Sequence, residues 1–208
     1  GCLVSRLLAL LLVFFACHVF RLNQESKMKQ DARPDANRTD GSGLNNAGNN
    51  TNLYSYVDDT SVGDSDYIES IDSSASADTV ILDLSSVSDP GNALNHTVFY
   101  RAKVAAGMMG GTPDLTIALF QGDAGSPIAT KTDTGVTTSF SDDNLNLSTS
   151  EANAITDYGD LRIKFTRAAG GGAGGETATV SWCFFSCDSV DSSIAPLAMN
   201  HFRKMRSN

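Results

Sequence analysis

The chain has 208 residues, which is enough for one domain with additional segments or for two small domains. Its formal net charge is −9, with 24 acidic and 15 basic residues, and this excess of acid argues against nucleic acid as a partner because phosphate binding needs a basic surface. Charged residues make up only 19% of the chain while Ser, Thr, Asn, Asp and Gly are abundant, which is typical of a turn-rich β protein.

An apolar leader occupies residues 1–27. Its uncharged centre, 7–16, is much shorter than the ~20 residues that a membrane-spanning helix needs, and Arg6 precedes it as in a signal peptide. Three interpretations are open: a secretory signal or membrane anchor, a spanning helix, or translation from upstream of a natural start at Met28, where the composition changes. We expect contact with a membrane only if the leader is native.

Residues 28–52 are polar, rich in Asn and Gly, and poor in apolar side chains. Such a segment cannot bury enough apolar surface by itself to offset the chain entropy that it loses on ordering. We therefore predict a flexible linker, or a flexible arm that orders only against a partner. A globular domain is predicted to follow at 53–187, and a C-terminal tail at 188–208.

Apolar and polar residues alternate in many short runs of the globular part, which predicts half-buried β-strands. In the run 161–166, Leu161, Ile163 and Phe165 fall on one face, and in the last run Val180, Trp182 and Phe184 are predicted to face the core. The glycine-rich stretch 168–176 predicts a hairpin between these two runs. The predicted strands are 53–57, 67–71, 80–84, 97–104, 115–120, 127–134, 161–166 and 180–184, and the run 137–147 alternates only weakly.

Two further local signals refine this prediction. Pro127 begins a polar run, which fits a strand at the edge of a sheet. Ser148 followed by Glu151 has the spacing of a capping box and predicts one short helix. About eight strands, one short helix and no alternation of strands with helices predict an all-β fold, an antiparallel β-sandwich of jelly-roll type.

The residues that usually carry catalysis are sparse. The histidines are His18, His96 and His201, and His96 is predicted to be a solvated turn residue; no spacing among them suggests a catalytic triad or a zinc site. Cys183 and Cys187 either form a disulfide across a very short loop or are ordinary strand residues, which is the interpretation we favour. We therefore predict no enzymatic activity and no cofactor.

Acidic pairs leave one alternative for a bound ion. Carboxylates lie close in sequence at 58–59, at 64 and 66, and at 142–143. Hard oxygen ligands at such spacing suit calcium, although no complete calcium-binding loop is present. Calcium is thus the single cofactor alternative that the sequence offers.

Several short motifs between Tyr54 and Phe185 are similar to one group of proteins. They lie at 64–68, 89–91, 100–102, 119–122, 128–130, 147–148, 154–158, 160–165 and 180–182, and residues 28–40 look like the start of such proteins. On these motifs the chain resembles a β-sandwich virion or minor structural protein of tailed phages. The resemblance implies a non-enzymatic decoration, fibre or tail-associated subunit of the virion. Its partners would be other virion proteins and copies of itself.

Two alternative functions remain beside the virion hypothesis. One is a carbohydrate-binding β-sandwich, for which Phe99, Phe120 and Phe140 are the candidate stacking residues if their rings face outward; Trp182 is predicted to face inward and so to be unsuitable. The other is a secreted or membrane-anchored surface protein, which requires a native leader.

Overall fold

The computed structural model describes residues 28–70, 77–107, 112–169 and 176–190. The predicted leader at 1–27 and most of the predicted tail at 188–208 therefore lie outside the described residues. Within the described ranges, no helix has the length and the apolar character needed to cross a membrane.

In the described ranges, eleven strands form two antiparallel sheets that pack face to face. Two short helices accompany them, a 3-10 helix at Leu53–Tyr56 and α1 at Thr149–Ala152. The strands are β1 (Lys29–Ala32), β2 (Pro34–Ser42), β3 (Leu44–Asn45), β4 (Ile68–Ser70), β5 (Asp78–Leu84), β6 (Thr97–Ala105), β7 (Leu115–Gln121), β8 (Ala129–Asp133), β9 (Ser141–Asn146), β10 (Leu161–Arg167) and β11 (Thr177–Asp188).

The strand order confirms the predicted antiparallel sandwich of jelly-roll type. Sheet A has the order β3-β4-β11-β6-β9, with β1 also paired to β11, and sheet B has the order β2-β5-β10-β7-β8. The pairs β7–β8, β6–β9, β5–β10 and β4–β11 are nested in sequence, and successive pairs alternate between the two sheets. This nesting is how a long antiparallel ribbon wraps into two sheets. It also leaves β8 at an edge of sheet B, as the polar run after Pro127 predicted.

The core lies between the sheets and is built by the predicted alternation. Ile163 and Phe165 of β10 are fully buried, and so are Val80 and Leu82 of the neighbouring β5. In sheet A, the inward residues of β6 are Val98, Tyr100, Ala102 and Val104, as the sequence predicts. Because side chains of successive strand residues point to opposite faces, each sheet also presents an outer face that a ligand can reach.

The prediction of a flexible arm at 28–52 is wrong for most of that segment. β1 pairs with β11 in sheet A, and β2 pairs with β5 in sheet B, so the segment reaches across both sheets. Ala32 and Leu44 are its buried anchors. The prediction counted apolar side chains, whereas most of the ordering comes from backbone hydrogen bonds to strand edges, which leave little trace in composition.

Of the sequence predictions for two short local elements, one is wrong and one is confirmed. The stretch 53–57, predicted as a strand, contains a 3-10 helix whose first residue, Leu53, is buried. The capping box is confirmed, because the Ser148 hydroxyl accepts from the Glu151 backbone N–H and the Glu151 carboxylate accepts from the Ser148 N–H. The helix signal depends on neighbouring residues alone, so the sequence was sufficient to identify it.

The predicted hairpin between 161–166 and 180–184 is also wrong. β10 lies in sheet B between β5 and β7, while β11 lies in sheet A beside β6. The connection through the glycine-rich stretch therefore passes from one sheet to the other. Alternation marks a strand as half-buried, but it does not say which sheet the strand joins.

Trp182 does not face the core, contrary to the prediction. The register of β11 against β6 shifts between Val180 and Trp182, which makes Ser181 an extra residue. Beyond this β-bulge Cys183, Phe185 and Cys187 are buried, and Trp182 turns to the outer face of sheet A. Both cysteines are free, since residues four apart along one strand are about 13 Å apart, too far for a disulfide.

Candidate functional site

A cleft on the outer face of sheet B is the candidate functional site. β10 contributes Arg162 and Lys164 to it, two of the outward residues of its alternating pattern, and β7 contributes Phe120 directly opposite Arg162. β5 contributes Ile81, which lies opposite Lys164. The walls come from β2 and from the turn after β7. The cleft has a volume of about 350 Å³, which is within the range of small-ligand sites.

Arg162 is the centre of the polar part of the cleft. Although only 6% exposed, it has three carboxylate partners. Its Nε donates to Asp83 at 2.8 Å, Nη1 to Asp123 at 2.8 Å and Nη2 to Asp160 at 2.9 Å. Such charge-assisted bonds fix the planar guanidinium group in one orientation, so the polar floor of the cleft is preorganised.

Arg38 closes one side of the cleft. It lies in β2 where the register against β5 is irregular, and its Nη2 donates to both carboxylate oxygens of Asp123 at 2.6 and 2.7 Å. The Asp123 carboxylate is 78% exposed, yet Arg38 and then Arg162 lower its pKa below the ordinary value of 3.8. Asp123 is therefore ionised at neutral pH, and two guanidinium groups share its charge.

The turn that carries Asp123 is held in place by hydrogen bonds to the segment that precedes β10. The Gln121 side-chain oxygen accepts from the backbone N–H groups of Thr156 and Asp157 at 2.7 and 3.0 Å. Gly122 has a positive φ of 59° and donates its N–H to the Asp160 carbonyl at 2.9 Å. The mouth of the cleft is thus tied to the segment that leads into β10.

A second hollow adjoins the cleft and shares Arg38 and Arg162 with it. Asp35, Asp83 and Asp160 are its carboxylates. Partial burial, followed by repulsion from Asp83, raises the pKa of Asp35. The outer face of sheet B therefore offers a continuous polar groove in which cationic and anionic groups alternate.

Phe120 and Lys164 differ from the other groups in the cleft because neither has a partner. Across the described part of the chain, no aromatic ring or cation contacts the ring of Phe120, and no carboxylate pairs with Lys164. Both side chains are only partly buried. A ligand in the cleft can therefore contact an open aromatic face and an uncompensated ammonium group.

The two other predicted stacking residues lie on the opposite side of the molecule. Phe99 and Phe140 are on the outer side of sheet A, so all three predicted rings face outward but are not brought together. Phe99 stacks on Phe184 with ring centroids 5.0 Å apart. Contact of all three with one ligand is therefore ruled out by their placement, although each by itself stays a prediction.

Cations lie over three of the outward rings of sheet A, those of Phe140, Trp182 and Phe184. The Arg33 guanidinium lies 4.7 Å from the ring centre of Phe184 and 5.9 Å from that of Trp182. The Lys103 ammonium lies 4.5 Å from the centre of Phe140, and the Arg101 guanidinium 5.7 Å from it. These ring faces already have cation–π partners, so a ligand could stack on them only after displacing the cations.

Three of the six carboxylates considered for calcium are engaged with cations. Asp64 and Asp142 both accept from Arg101, and Asp143 pairs with Lys131. The Arg101 hydrogen bond holds the pKa of Asp64 below its ordinary value. In the ranges that the structure describes, no three acidic, histidine or cysteine side chains are grouped as metal ligands.

His96 is not the solvated turn residue that the sequence predicts. It is buried against Tyr158 and Phe185, its Nδ1 lies 2.9 Å from the Leu94 carbonyl, and its Nε2 lies 2.7 Å from the Tyr158 hydroxyl. Burial lowers its pKa. With both ring nitrogens occupied inside the protein, His96 serves packing and has no access to a ligand.

Sequence reasoning identified Phe120 but missed the polar groups around it. One signal was present, because the alternation of 161–166 puts Arg162 and Lys164 together on the outer face. No such signal marks Arg38, which reaches the cleft only because β2 pairs with β5.

No protein-family model matches the chain, and no curated protein matches it in sequence. Solved structures give distant matches. A Stig cyclase, Fisc, from Fischerella sp. TAU is 13% identical with a TM-score of 0.39, and the match covers 60% of this chain and 64% of the cyclase, so the chain spans less than two thirds of its length. A family 30 carbohydrate-binding module of a Clostridium thermocellum cellulosomal cellulase is 13% identical with a TM-score of 0.46, and the match covers 80% and 99% of the two chains. A CBM4 structure is 16% identical with a TM-score of 0.35 over 61% and 82%. At this level of similarity, none of them indicates what this chain binds.

Proposed function

We propose that this protein is a non-enzymatic carbohydrate-binding β-sandwich whose glycan lies in the cleft of sheet B. The observation that carries the proposal is the open ring of Phe120 beside the fixed polar groups of Arg38, Asp123 and Arg162. A sugar ring has apolar C–H faces and a polar rim of hydroxyl groups. A cleft that combines one aromatic face with a few immobilised donors and acceptors is suited to both parts.

The polar groups suit hydroxyl recognition because their positions are set before a ligand arrives. Arg162 holds three carboxylates through different nitrogens, and each carboxylate retains acceptor capacity for a sugar hydroxyl. Little side-chain freedom is then left to lose on binding, which favours affinity. On sheet A, cations already lie over the rings of Phe140, Trp182 and Phe184, which supports the choice of sheet B as the binding face.

Binding without hydrolysis is part of the proposal. Glycoside hydrolysis usually uses one carboxylic acid that gives a proton and one carboxylate that acts as nucleophile or base. The carboxylate that lines the cleft is Asp123, and hydrogen bonds from Arg38 and Arg162 lower its pKa. Asp123 is then unsuited to be the proton donor.

A glycan array followed by calorimetric titration of the best glycan tests the proposal. We expect binding that Phe120→Ala weakens at least about tenfold and that Phe99→Ala, the matched change on sheet A, leaves intact. The recovered glycan should be unchanged in size after incubation with the protein. Absence of binding to every glycan would contradict the proposal, and a shortened glycan would contradict its non-enzymatic part.

The phage resemblance adds a second proposal about where the module works. The motif at 160–165 is part of that resemblance, and it contains Asp160, Arg162 and Lys164 of the groove. A virion surface subunit with a glycan site would meet the sugars of a host cell envelope. Mass spectrometry of purified particles of the source phage should detect the protein; its absence from them would contradict the virion placement but not glycan binding.

A further inference from the structure

The cleft contains more positive than negative charge, although the whole chain carries −9. Three cationic side chains and one carboxylate line it: Arg38, Arg162 and Lys164 against Asp123. Asp83 and Asp160 also pair with Arg162, but they line the adjoining hollow. The carboxylates of the adjoining hollow thus offset the charge of Arg162, and the excess of positive charge is confined to the lining of the cleft itself.

Lys164 accounts for the uncompensated part of that charge. It projects from the middle of β10 between Ile81 on β5 and Ala118 on β7, neither of which can pair with an ammonium group. The two arginines of the cleft are already bonded to carboxylates. Among the described side chains, Lys164 has no hydrogen-bond or ion-pair partner, so an anionic ligand group would meet an available cation.

The distance between Phe120 and Lys164 suits a ligand in which a single sugar ring contacts both side chains. Phe120 lies opposite Arg162 and Lys164 lies opposite Ala118, so Phe120 and Lys164 are diagonal neighbours on paired antiparallel strands. Diagonal neighbours of this kind are about 7–8 Å apart. One sugar ring stacked on Phe120 can therefore direct an acidic substituent to the Lys164 ammonium group.

Asp123 does not prevent an anion from entering. Its carboxylate accepts from Arg38 at 2.6 and 2.7 Å and from Arg162 at 2.8 Å, so two cations offset its charge. The carboxylate that lines the cleft is thereby turned towards the two guanidinium groups.

From this arrangement we infer that the glycan of the sheet B cleft is acidic, a sugar with a carboxylate or sulfate group that pairs with Lys164. The inference rests on the proposed function, because it specifies the class of glycan that the same cleft would bind. A charge-assisted hydrogen bond of this kind increases affinity by about tenfold to a hundredfold.

Oligogalacturonate and its methyl ester form a suitable pair of probes, because they share one sugar backbone and differ in charge; a sulfated oligosaccharide is the third probe. Titration calorimetry should show that an acidic probe binds at least about tenfold more tightly than the ester. Lys164→Gln should remove most of the difference in affinity between the acidic probe and the ester, because it weakens binding of the acidic probe far more than binding of the ester. Lys103→Gln removes an outward lysine of sheet A and should change neither.

The outcomes separate the two proposals. If the ester or another neutral glycan binds as tightly as both acidic probes, the inference is overturned and the proposed function stands. If Lys164→Gln leaves binding of the acidic probe unchanged, the inference is overturned as well. If no glycan of any charge binds, the proposed function itself fails.

Discussion

Gly43 lies so close to Asp78 that a β-carbon on Gly43 would be 1.8 Å from the Oδ1 atom of the aspartate. The second carboxylate oxygen of Asp78 accepts from Arg167 Nε at 2.9 Å and from Nη2 at 2.8 Å. The Arg167 side chain is fully buried. The short strand segment that begins after Gly43 thus lies directly against the most buried ion pair of the sandwich.

Gly43→Ala should destabilise the protein strongly. The methyl group would push Asp78 away from Arg167, and separating a buried ion pair costs about 3–5 kcal/mol. The positive φ of 96° adds strain for any residue with a side chain. Gly48→Ala is the matched control, because Gly48 has a φ of 87° but nothing within 4 Å of the added methyl group; its cost should be about 1–2 kcal/mol. Urea unfolding measures both, and equal losses would contradict the steric account.

Ile163→Asp should abolish folding. Ile163 is fully buried in the central strand of sheet B, where an aspartate would place an unpaired charge in the core. The expected cost exceeds about 4 kcal/mol, a large part of the stability of a domain. Thr166→Asp, on the outer face of the same strand, should keep the fold. Circular dichroism and thermal unfolding distinguish the two, and a cooperatively melting Ile163→Asp protein would refute the expectation.

Phe120→Ala should separate binding from stability. The ring is partly exposed and has no aromatic partner in the described residues, so its loss should change the free energy of unfolding by about 1 kcal/mol or less. Glycan affinity should fall at least about tenfold, which corresponds to about 1.4 kcal/mol. Comparison of thermal melting with calorimetric titration of one protein batch checks this; a large loss of stability would assign Phe120 to the core.

His96 should make the stability of the protein depend on pH. Burial lowers its pKa from the ordinary 6.5, an effect that the Leu94 carbonyl and the charges of Asp188 and Asp89 partly oppose. The unfolded chain therefore binds a proton at a higher pH than the folded chain. The stabilising contribution is complete above about pH 6.5 and decreases as the pH falls below that value.

Urea unfolding at pH 7.5 and 5.5 tests this dependence. The native protein should lose stability between the two conditions, and His96→Gln should lose less. Asp64 and Asp123 have pKa values lowered from 3.8, so they titrate below this window. An identical pH dependence in the variant would contradict the assignment to His96.

The sequence predicted those features that depend on neighbouring residues. Alternation placed Ile163 and Phe165 in the core, and the spacing of Ser148 and Glu151 located the helix. It did not predict the face of Trp182, because one inserted residue reverses the orientation of all side chains beyond it.

The cleft was predictable only in part for a similar reason. Phe120 was identified as a candidate ring and was expected to matter if it faced outward. The network of Arg38, Asp123 and Arg162 joins three strands or turns that are distant in sequence, and no local pattern records which of them become neighbours. Charged residues also occur widely on solvated faces, so their presence alone did not indicate a site.

The nesting of strand pairs has a consequence for how the chain reaches its native state. β7 and β8 are separated by a short turn, whereas β4 and β11 bring together Glu69 and Thr179, which are 110 positions apart. Once an inner pair of strands has formed, pairing the next two strands closes only the chain between them and that inner pair. The conformational entropy of the chain is therefore lost in several smaller steps. We expect assembly to start at the β7–β8 turn that carries Asp123 and to proceed outward. Most contacts of this topology join distant positions, so folding should be slow compared with that of a helical bundle of equal length.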